Sequence, residues 1–385
     1  MRYTKERKLK EEEMMNEDRL IKQFLELVQI DSESGDERKV ADYLKSELEK
    51  MGFMVEEDHA GEKIGGNAGN VIARKKGNKN AKSCFFCAHM DTVKPGNGVK
   101  PKLENGIITS DGTTVLGGDD KGGIAAILEG VRSYLEENKE YGDIQLAFTI
   151  GEEEGLIGAK ALDYKSLWQI DGAFFFDSGD DSSHIVVRAP EHYDFAATFK
   201  GLAAHAGLEP EKGINAIMVA AEAIRNMNLG RIDEETTANI GEIAGGKATN
   251  IVPDEATIKG ESRSLNKAKV EAQIAAMQKA CEAAAAKFGA QVELDIAKSH
   301  DGINVSLDSV TAKMVKEACA ILGLEEKFIT SGGGSDANIM NGYGIDAVNI
   351  GIGMSKVHTT EEFIALKDLV LGANMVKTLL EVAGK

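Results

Sequence analysis

A chain of 385 residues, 42% hydrophobic and 28% charged, is long enough for two domains and has an ordinary globular balance. Its formal net charge of −18, with no basic stripe, excludes nucleic acid as a partner. No apolar run reaches the roughly 18 residues of a membrane span, no signal-peptide h-region follows the N-terminus, and four scattered cysteines form no disulfide framework, so a cytoplasmic protein is expected.

The first fourteen residues read as a charged helical extension, and residues 1–15 are set apart on that ground. Apolar residues recur at helical spacing over 16–27 and 36–51, with Gly52 as a stop. A short strand is predicted over 71–74 and a longer one, apolar on both faces, over 83–89. A helix over 122–134 and strands over 144–150 and 173–177 follow. Strands apolar on both faces, alternating with helices, indicate a buried, largely parallel sheet in an α/β sandwich. The rhythm changes near Glu191. Strand 192–200, helix 213–227, strands 239–243 and 257–264, helix 267–288 and strand 292–297 make a βαββαβ unit. From Ser306 the α/β rhythm resumes, with a strand near Phe328, a Gly-rich loop, a strand over 347–350 and a final helix from Leu366. The expected domains are therefore 16–190 with 300–385, and an inserted 191–299. Cys84 and Cys87 fall on opposite faces of a strand and cannot pair for redox or zinc chemistry. Cys281 and Cys319 read as core.

Several strands run out into residues of ligand type. His89 and Asp91, in Cys-Ala-His-Met-Asp, sit at i and i+2, so the acid can hold the second ring nitrogen of a ligating His. Asp119-Asp120, between two glycine pairs, is by itself an ordinary helix N-cap. A carboxylate in so bare a loop can also bridge two cations. Glu152-Glu153-Glu154 is by itself a solvated loop or acidic first turn. In the chemical reading one Glu ligates and its neighbour is a general base. Asp177 closes a triple-Phe run, and His358 precedes a capping-box-like Thr-Thr-Glu. His59, His184, His192 and His300 show no partner spacing and read as surface or structural. Singly these residues are unremarkable. In order, two His and three acids at strand ends fit paired zinc or cobalt ions.

The ordered set resembles the co-catalytic metallopeptidase family of peptidase T, glutamate carboxypeptidase, succinyl-diaminopimelate desuccinylase and aminoacylase, most of all its peptidase T-like branch, over nearly all of the chain after residue 16. The resemblance implies a three-layer αβα catalytic domain with an inserted α+β, ferredoxin-like lid, and two Zn2+ per subunit, with Co2+ or Mn2+ as alternatives. It implies that His89 binds one metal and Asp91 orients it, that Asp119 bridges both, that Glu153 and His358 bind the second, and that Asp177 completes the first. Glu152 is then the general base. Gly151 stands where most relatives have an Asp, so the Glu152/Glu153 and Glu153/Glu154 registers both remain; Gly155 and Gly158-Ala159 favour the first. His205, in Gly-Leu-Ala-Ala-His-Ala-Gly, matches a lid histidine that polarises the substrate carbonyl. Asn250 and Arg263 match lid residues that contact substrate. Ser331, Gly332 and Gly333, in Ser-Gly-Gly-Gly-Ser-Asp-Ala, match a substrate loop. A cis Asp119–Asp120 bond and a homodimer through the lid are also implied.

The implied function is a two-metal exopeptidase acting on short peptides, a tripeptide aminopeptidase, with water as nucleophile and Glu152 as its base. An N-acyl amino acid amidohydrolase, or a carboxypeptidase or dipeptidase of the same family, is the alternative. A scaffold that has lost its chemistry is disfavoured because every ligand type and a candidate base are present. A nucleotide-binding or redox protein is disfavoured because no G-x-G-x-x-G follows a strand.

Overall fold

The computed structural model describes residues 15–385. The expected helical extension over the first fourteen residues lies outside them; Met15, assigned to it from sequence, is buried.

Of the described residues, those up to Val187, with Asn304–Thr330 and Ser335–Lys385, form the first compact unit. It begins with helices α1 (Glu17–Val28), whose first turn is capped by the Asn16 side chain, and α2 (Arg38–Lys50). Strands β1 (Met54–Glu57), β2 (Val71–Lys75), β3 (Cys84–His89), β4 (Lys102–Glu104) and β5 (Ile107–Thr109) come next. Helix α3 (Gly118–Glu136), strand β6 (Ile144–Thr149), helix α4 (Ile157–Ala161) and strands β7 (Gly172–Gly179) and β8 (His184–Ala189) complete its first segment.

The second unit holds Arg188–Ile303 and Ser331–Gly334. Its elements are β9 (Glu191–Lys200), α5 (Ala216–Arg225), β10 (Gly230–Arg231), β11 (Thr236–Gly245), β12 (Glu255–Ser264), α6 (Lys267–Phe288) and β13 (Gln291–His300). The chain then returns through β14 (Ile303–Asn304), α7 (Val310–Leu322), β15 (Lys327–Thr330), α8 (Asp336–Gly342), β16 (Ala347–Ser355), β17 (Phe363–Ala365) and α9 (Leu366–Gly384).

The large sheet runs β1-β2-β6-β3-β7-β16-β17-β5-β4, with β8 branching from β16 to meet β14 and β15. Its centre, β6-β3-β7-β16, is parallel. Every residue of β3 and β6 is buried, which is why neither shows an alternating pattern in sequence. Helices α1, α3, α7 and α9 pack together, whereas α4 packs with α8. The sheet packed against helices gives the expected α/β sandwich architecture. The short hairpin β4–β5 and strands β8 and β17 were not anticipated; β4, β5 and β17 are three residues each, too short to show a period.

The second unit orders its strands β10-β11-β12-β9-β13, all antiparallel. Helices α5 and α6 cover one core of Phe195, Phe199, Ile258, Met277 and their neighbours. This is the split-βαβ arrangement with one added two-residue strand. Ser331–Gly334 groups with this unit, although the sequence reading assigned all of 300–385 to the first. The cause is local: the Arg263 guanidinium donates to the Gly332 carbonyl at 3.5 Å, and the Ser331 N–H donates to the Arg188 carbonyl at 2.8 Å. Among the described residues no helix is long and apolar enough to cross a membrane.

Candidate metal centre

Parallel pairing brings the carboxyl ends of β3, β6 and β7 to one edge. His89 ends β3 and lies opposite Thr149, the last residue of β6. Cys87 lies opposite Phe175, so His89, two residues on, comes level with Asp177. Side chains two apart on a strand share a face, which aims His89 and Asp177 at the same region.

Three ligand groups result, each with its donor atoms within 4.8 Å of one another: His89, Asp119 and Asp177; Asp119, Glu153 and His358; and His89, Glu152 and Glu153. Asp119 belongs to two of them and divides its oxygens. Oδ1 lies 3.0 Å from His89 Nε2, and Oδ2 lies 3.3 Å from His358 Nε2. Glu153 Oε1 is 3.0 Å from His358 Nε2, yet it is buried without a hydrogen-bond geometry to any donor. Side chains that converge on a point, instead of pairing, fit a cation. His358 takes a left-handed backbone, φ 61°, which for a non-glycine residue marks a constrained position. Glu154, the other candidate register, is exposed and joins no such group among the described residues.

Asp91 is fully buried and organises the first group. Its Oδ1 lies 3.3 Å from His89 Nδ1 and accepts the Glu152 N–H at 3.0 Å. Its Oδ2 accepts the Ser34 hydroxyl at 2.6 Å and the Glu153 N–H at 3.2 Å. Asp91 thus holds the His89 ring at Nδ1, through its backbone carbonyl at 3.0 Å and its carboxylate, and the carboxylate also fixes the backbone that carries both glutamates.

The Asp119–Asp120 peptide bond is cis. The loop around it is held by Glu362, whose oxygens accept the Gly117 N–H at 2.8 Å and the Asp119 N–H at 2.9 Å. A Cβ at Gly118 would sit 3.0 Å from Glu362 Oε1, so this glycine admits the carboxylate. The Asp120 carboxylate turns inward and accepts from the His89 and Gly123 N–H groups at 3.2 and 3.1 Å. Asn349 on β16 exchanges two hydrogen bonds with the Asp177 backbone, at 2.9 and 2.6 Å. Asp336, at the start of α8, accepts the Thr149 hydroxyl at 2.5 Å. Sequence reasoning missed Glu362, Asn349, Asp336 and Ser34 as supports. Two carried a signal: Glu362, in His358-Thr-Thr-Glu-Glu362, read as part of a helix cap, and Asp336 fell in the Ser-Gly-Gly-Gly-Ser-Asp-Ala loop without a role of its own.

Crowded acids raise one another. Burial, then the Asp177 charge, pushes the Glu152 carboxyl well above the usual carboxylate range. Burial does the same to Asp177 and Asp120, and brings Asp336 to about 6. Asp119 is the exception: burial opposes its charge, but the two histidines outweigh it and hold the carboxyl well below its ordinary value. The adjacent Asp119 and Glu153 carboxylates raise His358 to about 10. A carboxylate held low between two histidines has the charge that suits a cation.

In the second unit, His205 and Asn250 are exposed. A backbone bridge pairs His205 with Ile251, and the Ala206 N–H donates to the Asn250 carbonyl at 2.9 Å. Arg263 is half-buried, beside Gly332, with Ser331 and Gly333 in the same loop. The four cysteines are free and buried.

A peptidase dimerisation domain matches residues 192–289, and peptidase family M28 matches residues 70–216. YqjE, an uncharacterised Bacillus subtilis protein, is 46% identical over 97% of this chain and 100% of its own length. The crystal structure of aminopeptidase PepT from Bacillus cereus has a TM-score of 0.90 and 41% identity, covering 97% of this chain and 100% of that one. That of a tripeptidase from Staphylococcus aureus has a TM-score of 0.92 and 40% identity, covering 96% and 99%. Fold, ligand-type cluster and near full-length likeness agree: the chain belongs to the co-catalytic metallopeptidase family that includes peptidase T, and it is a metal-dependent peptide hydrolase.

Proposed function

We propose that this protein is a two-metal tripeptide aminopeptidase. The observation that carries the reading is the divided carboxylate of Asp119, one oxygen toward each histidine. His89, Asp119 and Asp177 would hold one ion, and Asp119, Glu153 and His358 the other. Nitrogen and oxygen donors of this kind suit zinc, with cobalt or manganese as substitutes. When bound, the two ions lower the pKa of water and stabilise the charge that develops on the scissile carbonyl.

The remaining work falls to the chain. Glu152 takes the proton from the attacking water and passes it to the leaving amine. Its burial, which raises its proton affinity, suits that task. Asp91 keeps His89 in one tautomer and fixes the Glu152 backbone. His205 polarises the substrate carbonyl, and Asn250, Arg263, Ser331, Gly332 and Gly333 bind the peptide. The choice of tripeptide rests on the likeness to an aminopeptidase and a tripeptidase at 41% and 40% identity. Exposed Leu208, Met218, Ile243 and Ile251 on the second unit support its use as the face of a homodimer. Free, buried cysteines are in keeping with a cytoplasmic enzyme.

A hydrolysis panel tests this. Free tripeptides, dipeptides, N-blocked peptides and N-acyl amino acids are each supplied with zinc, cobalt or manganese. Release of the N-terminal residue from free tripeptides, and inert N-blocked forms, is expected. Turnover of N-acyl amino acids with inert tripeptides overturns the reading in favour of an amidohydrolase.

A further inference from the structure

Strand register places three residues abreast across the second unit: Arg263 on β12 lies opposite His192 on β9, which lies opposite His300 on β13. Glu261, two residues before Arg263 and so on the same face, closes the row. Its Oε1 accepts from Arg263 Nε at 3.1 Å and its Oε2 from Arg263 Nη2 at 2.9 Å. The same Oε2 is 3.1 Å from His192 Nε2. The His192 and His300 rings meet edge to face, 5.3 Å between centroids and 64° between planes.

Both ends of this row grip the Gly-rich loop. Arg263 Nη1 lies 3.5 Å from the Gly332 carbonyl. The His300 ring occupies the space beside Gly334, where a Cβ would come within 2.4 Å of Nε2. The side-on grip of Glu261 uses the Nε and Nη2 edge of the guanidinium. The Nη1 and Nη2 end, the pair that matches a carboxylate fork, faces away from Glu261.

We propose that Glu261 is a positioning residue that sets Arg263, through a side-on carboxylate pair braced by His192, to read the free C-terminal carboxylate of a peptide. This rests on the peptidase reading above and adds a specificity determinant to it. Without Glu261 the long Arg263 side chain keeps its charge but loses its fixed direction, and a planar, two-point contact depends on direction. The neighbouring carboxylate also lowers the positive field at Arg263, so in charge terms alone its removal would raise the preference. The experiment separates the two by sign.

The readout is the preference for a tripeptide over its C-terminal amide, taken as a ratio of kcat/KM values. The same ratio is read as relative affinity in chelator-treated protein, where no bond is cut. Wild type is expected to prefer the free acid. Glu261→Gln is expected to reduce the preference about tenfold, the loss of one charge-assisted contact, through KM and not kcat. Arg263→Ala is expected to erase it, and the double variant to match Arg263→Ala with no further loss. An unchanged or increased preference in Glu261→Gln, additive losses in the double variant, or no acid preference in wild type each overturns the proposal. Absence of all peptide turnover defeats the peptidase reading instead, while the affinity ratio still decides the role of Glu261.

Discussion

The two units carry their candidate residues in opposite ways. In the first, ionisable side chains from distant stretches converge, and most are withdrawn from solvent: His89 is 2% exposed and Asp91 0%, with His358, at 53%, on the open side. Each is held from behind, by Ser34, Glu362, Asn349 or Asp120. In the second, His205 and Asn250 stand on exposed backbone, and Arg263 is steadied by one half-exposed carboxylate. Buried charge needs fixed partners, so the first unit reads as a centre built before substrate arrives. Exposed groups gain their effect only when substrate removes them from water. Variants in the first unit should therefore change metal content or proton transfer, and those in the second should change substrate kinetics at constant metal.

The largest effect is expected from removing metal. Exhaustive chelation should abolish peptide turnover, and added zinc, cobalt or manganese should restore it; full turnover at metal content near zero would break the comparison at its root. The uptake has a sign. The Asp119 and Glu153 carboxylates raise His358 to about 10, so if His358 is a ligand, a cation bound at neutral pH would displace a proton from its imidazole. Apparent affinity should rise with pH up to about 10 and fall as pH drops. Calorimetry in buffers of different ionisation heat should show proton release on binding at pH 7.

The two adjacent glutamates come next. Glu152→Gln should keep both ions and lose on the order of 10²-fold or more in kcat, the contribution of a general base. Glu153→Gln should instead lower the metal stoichiometry toward one per chain. Full metal content in Glu153→Gln together with metal loss in Glu152→Gln would exchange their roles.

His205→Ala probes the exposed side of the comparison. If His205 acts only on charge developing in the transition state, kcat should fall by roughly 10²-fold with metal content intact. A near wild-type kcat on a good tripeptide would make His205 an ordinary loop residue.

The contrast also marks what a sequence can disclose. The parallel core was legible because β3 and β6 are apolar on both faces, and α6 because its Lys267–Phe288 stretch is long and periodic. The candidate ligands stood out in the sequence because they lie at or near the carboxyl ends of strands or beside glycine, where a bare backbone leaves room. The supports were not. Asn349 lies 172 positions from Asp177, and Glu362 lies 243 positions from Asp119. Such pairs have no spacing rule, and only the sheet order brings them together. Glu261 was hidden differently: two before Arg263, it looks like any charged residue on a half-exposed strand. Its meaning comes from the register that sets His192 beside it.

Glu362→Gln gives the smallest and most discriminating effect. The residue is 1% exposed and neither of its oxygens is assigned to a metal. Both accept backbone N–H groups of the loop that presents Asp119, at 2.8 and 2.9 Å. Glutamine offers one oxygen and one NH2 group, so one of those N–H groups would face a donor. A buried donor left unmatched costs about 1–3 kcal/mol. If the loop absorbs that cost by moving, the Asp119 oxygens lose their aim at His89 and His358, and both ions weaken together, by roughly 10–100-fold as for other supports of metal ligands. If the fold absorbs it elsewhere, the melting temperature falls and metal affinity stays. Metal titration and thermal unfolding on the same variant separate these outcomes. Unchanged affinity would mean that the buried centre is less tightly built from behind than its hydrogen bonds imply, and would bring the two units closer in kind.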